Sequence, residues 1–239
     1  MTFLKCIQFF YLLYNIAPVI SNVAVKYVSE VTQLNSNGIL SVIISPLEFN
    51  HYFNPVAINW KNVMRSKLGL EFNIMSVQIL AENRPAIPLN HPHDIFLRET
   101  KKENCLYRAI STILCGDDRY HNVLRHDIIN HLRENPAYIS RLLGRFNIID
   151  YLWYHFATDP SMNKNADDIE LLGAAFFLDV CIYKYDYISQ EWSFYYKDWP
   201  NYRPLPMEQQ CIYLAQDNNN YYIVNNVRGI DENKNSFSN

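Results

Sequence analysis

Read for the spacing of its apolar positions, the second half of the chain divides into two regimes. Leu106, Ala109, Ile110, Ile113 and Leu114 recur at helical spacing, which predicts a helix over 104–114 with one buried stripe. Gly116 is placed to end it. Asp117 and Asp118 are expected to cap a second helix, whose apolar residues include Val123, Leu124, Ile128 and Leu132. Asn135-Pro136 should stop that helix, because the residue before a proline avoids helical backbone. Tyr138–Tyr154 has a third helical pattern. Asp167 and Asp168 are expected to cap a fourth, through Leu171, Leu172, Ala175 and Phe176. Then the period falls to two. Val180–Tyr185, Glu191–Tyr196, Cys211–Ala215 and Tyr221–Val227 read as strands. Helices first and mostly antiparallel strands afterwards predict an α+β domain.

The first half carries a weaker pattern. Val23–Val31, Gly38–Ile44 and Phe72–Ala81 mix β-branched and aromatic residues with partial alternation and read as strands. Asn35-Ser36-Asn37-Gly38 is a turn signal. Arg84–Pro92 holds three prolines and reads as a linker, so a boundary is expected near residue 95. The expected organisation is a β-rich extension over 22–95, an α+β domain over 96–228 and a flexible polar tail over 229–239. Ahead of these, Met1–Ser21 has Lys5, an apolar run from Cys6 to Ile20, and a small residue at its end. That reads as a secretory signal peptide and predicts a secreted protein. The alternative is a buried N-terminal element of a cytoplasmic one. The segment is too short and interrupted for a good membrane span, and no second apolar run approaches about 18 residues. No membrane association is expected once it is removed.

Composition narrows the classes. In 239 residues, 49% are hydrophobic and 19% charged, which suits a globular protein and excludes wholesale disorder. The net charge of −3, with no basic run, argues against a nucleic-acid partner. The 18 tyrosines read as core and strand-face residues rather than a base-stacking surface. Cys105, Cys115, Cys181 and Cys211 follow the presumed signal. They show neither a dense disulfide framework nor the Cys-x-x-Cys spacing of a zinc site. The chain has no Asn-x-Ser/Thr sequon, which counts against a long-evolved secretory protein.

The candidate chemistry centres on Cys105, which the pattern puts at a helix start behind the polar Asn104. The positive end of a helix dipole stabilises a thiolate, and backbone N–H groups there can hold an oxyanion. A thiol nucleophile also needs a base, best supplied by imidazole, and a third group to orient that base. His121, His126 and His131 follow on the second helix at spacings of five, which spreads them around it rather than along one face.

Glu103-Asn104-Cys105-Leu106-Tyr107-Arg108-Ala109 resembles the nucleophile motif of the ovarian tumour (OTU) cysteine proteases, usually Asp-Gly-Asn-Cys-Leu-Phe-Arg-Ala/Ser. The likeness continues in order over some 130 residues. It runs through Tyr120-His121 with Val123-Leu124-Arg125, then Asp168-Ile169-Glu170 with Ala174-Ala175. It ends in Val180–Tyr183 with Trp192, and Ile212-Tyr213-Leu214. The resemblance implies a papain-type fold with helices on a mostly antiparallel sheet. It further implies thiol hydrolysis of isopeptide bonds to ubiquitin or a ubiquitin-like protein, with neither metal nor organic cofactor.

The departures cluster at the chemistry. The family's closing motif, Asn-His-Tyr-Asp/Asn, reads Asn219-Asn220-Tyr221-Tyr222 here. Asn220 falls at the histidine position and Tyr222 at the acid position. A one-residue slip would offer Tyr221 instead. Lys102 stands where the family has the oxyanion-side Asp, and Glu103 where it has Gly. Three readings follow: a catalytically impaired domain that binds ubiquitin or another protein; an active thiol isopeptidase with Cys105 and a relocated base, His91 or His93; or a structural or defunct copy.

Overall fold

The computed structural model describes residues 23–34, 40–46, 49–73, 85–96, 104–143, 166, 168–218 and 220–227. The predicted signal segment, Lys102, Glu103, Asn219 and the C-terminal tail lie outside them, as does most of the strand expected over Phe72–Ala81. The strands are β1 (Val25–Leu34), β2 (Leu40–Pro46), β3 (Tyr52–Phe53), β4 (Ile87–Pro88), β5 (Pro92–Phe96), β6 (Cys181–Asp186), β7 (Glu191–Tyr195), β8 (Cys211–Asp217) and β9 (Asn220–Val227). The helices are α1 (Ile58–Leu68), α2 (Cys105–Cys115), α3 (His121–Glu134), α4 (Pro136–Leu143) and α5 (Asp168–Phe177). The predicted α+β class holds.

Seven strands form one sheet in the order β2-β1-β7-β6-β8-β9-β5, and β3 pairs with β4 apart from it. Four of the six sheet pairings are antiparallel. The β1–β7 and β6–β8 pairs are parallel. The segment expected as an extension therefore supplies β1 and β2 on one side of this sheet and β5 on the other. The proline-rich stretch is not wholly a linker. Pro92 opens β5, and an edge strand accepts proline at its first position because no neighbour there needs the missing N–H.

Strand alternation gives the sheet two apolar faces. Ile182, Tyr195, Ile212, Leu214, Tyr221 and Ile223 point into the helical layer. Cys181, Tyr183, Tyr185, Trp192, Phe194, Cys211 and Tyr213 point the other way. There they meet Phe53 and Leu89 in an aromatic-rich second layer. Most of the tyrosines called core by composition are found in these layers.

The helix α2 differs from its expected single stripe, because all eleven of its residues are buried. It packs among α1, α3 and β9, so no side faces water. Its polar residues find partners inside. Arg108 pairs with Asp118 at 2.5 Å, Ser111 Oγ donates to the Asp117 carbonyl at 2.7 Å, and Thr112 Oγ1 donates to the Arg108 carbonyl at 2.8 Å. Those contacts, with Arg119 on Asp117, explain why the two aspartates do not cap α3, which starts behind Tyr120 without a side-chain cap. Gly116 closes α2 at φ 81°, as its position in the sequence predicts.

The pattern along α3 buries Leu124, Ile128 and Leu132 but leaves Val123 exposed. Pro136 takes the first position of α4, where its missing N–H costs nothing. In α5, Gly173 faces Leu132. A Cβ there would stand 2.5 Å from the leucine Cδ1, so glycine sets how closely α3 and α5 approach. Among the described residues, no helix is long and apolar enough to cross a membrane.

Candidate functional site

Cys105 begins α2, the helix start that the apolar spacing predicts, and is 5% exposed. The positive end of the helix dipole falls on it. Its neighbour Asn104 adopts a left-handed backbone, φ 57° and ψ 33°, a conformation asparagine tolerates better than most residues. The Asn104 side chain does not cap the helix. Its Oδ1 accepts from Arg125 Nη1 at 2.9 Å and its Nδ2 donates to Asn122 Oδ1 at 3.3 Å. Two residues of α3 thus hold the turn that presents the thiol. Neither was singled out from sequence as a site residue, although Arg125 stood within the resembling segment.

Two hydrogen bonds tie the neighbourhoods of Cys105 and Asn220 to the start of α5. Tyr107, two residues after Cys105, donates its hydroxyl to Glu170 Oε1 at 2.8 Å. Tyr221, next after Asn220, donates its hydroxyl to the Ala166 carbonyl at 3.2 Å. Ala166 and Glu170 bracket the first turn of α5. The N-terminal end of α2 and the first residues of β9 therefore converge on one place. The other end of α2 is consistent, since Ile113 shares a small cavity with Ile223, Val224 and Asn225 farther along β9. Asp168 in the same turn of α5 bonds Tyr195 and pairs with Lys184 at 3.1 Å, tying the convergence to β6 and β7.

Among the described residues at the convergence, none offers an imidazole. Asn220 is half-buried at the start of β9, opposite Asp217 on β8. By alternation it shares a strand face with Tyr222, which packs with the second aromatic layer. Tyr221 is the residue of this motif that enters the helical layer with Cys105. An amide has no useful basicity, and a phenol donating to a carbonyl keeps its proton. Neither is equipped to take a thiol proton near neutral pH.

The histidines proposed as relocated bases lie elsewhere. His91 is held by Tyr185, Nδ1 to hydroxyl 2.8 Å, on the sheet face opposite the helical layer. His93 is exposed on β5. The α3 histidines are spread around their helix as expected. His121 Nδ1 meets the Asp118 carbonyl at 2.7 Å, His126 is exposed, and His131 lies between Phe176 and Phe177 with its pKa lowered by burial. Among the described residues no group of three or more His, Cys, Asp and Glu could hold a metal ion.

Neither a family model nor a curated protein matches this chain. Solved structures do. The OTU domain of OTUD1 is 21% identical over 54% of this chain and 83% of its own, with a TM-score of 0.42. An OTU domain solved in complex with ubiquitin is 18% identical over 54% of this chain and 68% of its own, with a TM-score of 0.39. The viral OTU domain protease from Dera Ghazi Khan virus is 12% identical, covers 82% of this chain and 95% of its own, and has a TM-score of 0.41. Likenesses of this degree carry no argument about the chemistry of the site.

Proposed function

We propose that this chain is an OTU-like cysteine-protease domain whose isopeptidase chemistry is impaired and whose retained role is to bind ubiquitin or another protein. One observation carries the reading. Tyr107 near the Cys105 end of α2 and Tyr221 at the start of β9 both bond to the start of α5, and among the described residues the β9 side chain that shares the layer of Cys105 is a phenol, Tyr221, with the amide of Asn220 on the other strand face and no imidazole beside them. A thiol protease that loses the base of a concerted triad typically loses several orders of magnitude in rate. The active reading with His91 as base finds no support, since that ring lies across the sheet from Cys105 and is engaged with Tyr185.

The test joins catalysis to binding. The chain is mixed with ubiquitin chains, with ubiquitin carrying a C-terminal electrophile, and with isotopically labelled ubiquitin followed by NMR. The reading expects negligible chain cleavage together with saturable shifts of ubiquitin resonances. Asn220→His should raise turnover only slightly, because alternation turns residue 220 to the face of Tyr222 rather than to the layer of Cys105, and Tyr222 supplies no carboxylate to orient the new ring. Cleavage by the wild type that disappears in Cys105→Ala would overturn the impaired reading. No cleavage and no binding by either form would favour a structural or defunct copy.

A further inference from the structure

Of the four cysteines from Cys105 onward, the fold makes only two plausible partners for each other. Cys105 and Cys115 sit at opposite ends of α2, ten residues and therefore about 15 Å apart along the helix. Both lie in the helical layer. Cys181 and Cys211 both point to the other face of the sheet. They are direct register partners across the parallel β6–β8 pair, which puts their Cα atoms about 4.8 Å apart. That separation lies inside the range of about 4.4–6.8 Å that a disulfide spans. The next pair up the same ladder face is Tyr183 and Tyr213, whose rings stack at 5.2 Å. Cys211 is also held from its far side, where its N–H donates to the Asn54 carbonyl at 2.9 Å and its carbonyl accepts from Val56 N–H at 3.1 Å.

We propose that Cys181 and Cys211 are a modification site: a dithiol that low-molecular-weight disulfides oxidise to a single cross-strand bridge. Neither Cys181 nor Cys211 is in a disulfide in this structure. One of the two cysteines, as its thiolate, attacks one sulfur of the oxidant R–S–S–R, forming a mixed disulfide and releasing R–S⁻. The other then gives up its proton and attacks the protein sulfur of that mixed disulfide, expelling the second R–S⁻. Two protein thiols are oxidised, one small disulfide is reduced, and the two cysteine protons end on the two released thiols. Both cysteines are buried, at 0% and 1% exposure, so exchange occurs while β6 and β8 are docking during folding, or on their transient opening. This inference does not depend on the activity proposed above. It does connect with export, because an oxidising compartment supplies such oxidants.

The full chain is refolded in a mixture of oxidised and reduced glutathione, and in parallel in dithiothreitol. Each sample is alkylated in denaturant and mapped by mass spectrometry. The expected result is two thiols fewer in the oxidised sample, with Cys181 and Cys211 in one linked peptide. Closing a loop of this length should raise the oxidised protein's melting temperature by on the order of 10 °C. Cys115→Ser should keep that redox-dependent difference and Cys181→Ser should lose it. Equal thiol counts in the two wild-type samples, or a bridge that maps to Cys105 or Cys115, would overturn the proposal even if the Cys181 variant fails to fold.

Discussion

Tyr107→Phe removes one buried oxygen and little else, so it isolates the contact that anchors the Cys105 end of α2. The tyrosine is 2% exposed and its acceptor Glu170 is 3% exposed, at a hydroxyl-to-carboxylate distance of 2.8 Å. Water cannot easily replace the lost donor. Removing one partner of a buried hydrogen bond costs about 1–3 kcal/mol, and the ring still fills its site, so no large cavity cost is added. For a chain of this size that corresponds to a fall of about 2–12 °C in melting temperature. The assay is urea unfolding followed by circular dichroism, paired with alkylation of Cys105 by iodoacetamide under native conditions. If α2 opens from its N-terminal end, about 2 kcal/mol of lost anchoring should accelerate Cys105 labelling by roughly 30-fold. Cys115, at the far end and 0% exposed, should label more slowly than Cys105 in the variant. A variant that melts with the wild type and labels at the same rate would refute the anchoring role of this contact.

Lys61 is 3% exposed, and its pKa is lowered to about 8 by burial first and by nearby Arg65 second. Its folded pKa lies below its unfolded one, so the full penalty acts below pH 8 and is relieved as pH rises toward 10.5. From pH 7 to pH 9 this alone should add about 1 kcal/mol of stability, measured by denaturant unfolding, and Lys61→Met should lose that rise. Gly173→Ala gains up to about 1 kcal/mol of helix propensity, but its methyl meets Leu132 at 2.5 Å. Overpacking of that kind costs about 1–3 kcal/mol, so the variant should be less stable. In a cycle with Leu132→Ala the double variant should be more stable than the sum of the singles; strict additivity would refute the clash. If Met1–Ser21 is a cleaved signal, N-terminal sequencing of exported protein should find it absent, and an intact segment on cytosolic protein would contradict export.

The helical run ending at Gly116 and the four period-two strands after Val180 were legible because local spacing alone decides them. The helix α1 was not, although Trp60, Met64 and Leu68 recur at spacings of four and Gly69 ends the run with a φ of 64°. Charges disguise it. Lys61 and Arg65 occupy buried positions where the pattern expects apolar residues, and Arg65 is admitted because its Nη1 donates to the Leu114 carbonyl at 2.5 Å. At the site, the motif placed Cys105 correctly at a helix start. It did not say that Tyr221, rather than Asn220, enters the layer that holds Cys105. That follows from strand alternation, which was present in the sequence, combined with knowing which layer α2 occupies, which was not. Nor does local spacing show β1 pairing with β7.

That last pairing has a consequence for the order in which the protein is made. Lys26 on β1 meets Glu191 on β7 across 165 residues of chain, and β5 meets β9 across more than 125. A ribosome releases β1, β2 and β5 long before either partner strand exists. Through most of synthesis these strands have no central sheet to join, and their unpaired edges are open to wrong partners. Closing contacts so far apart also makes the final step slow relative to a helical protein of equal length. A fragment that stops before residue 191 keeps the β1–β2 pair but lacks β7 and β9, and so leaves that pair and β5 without the strands that join them into one sheet.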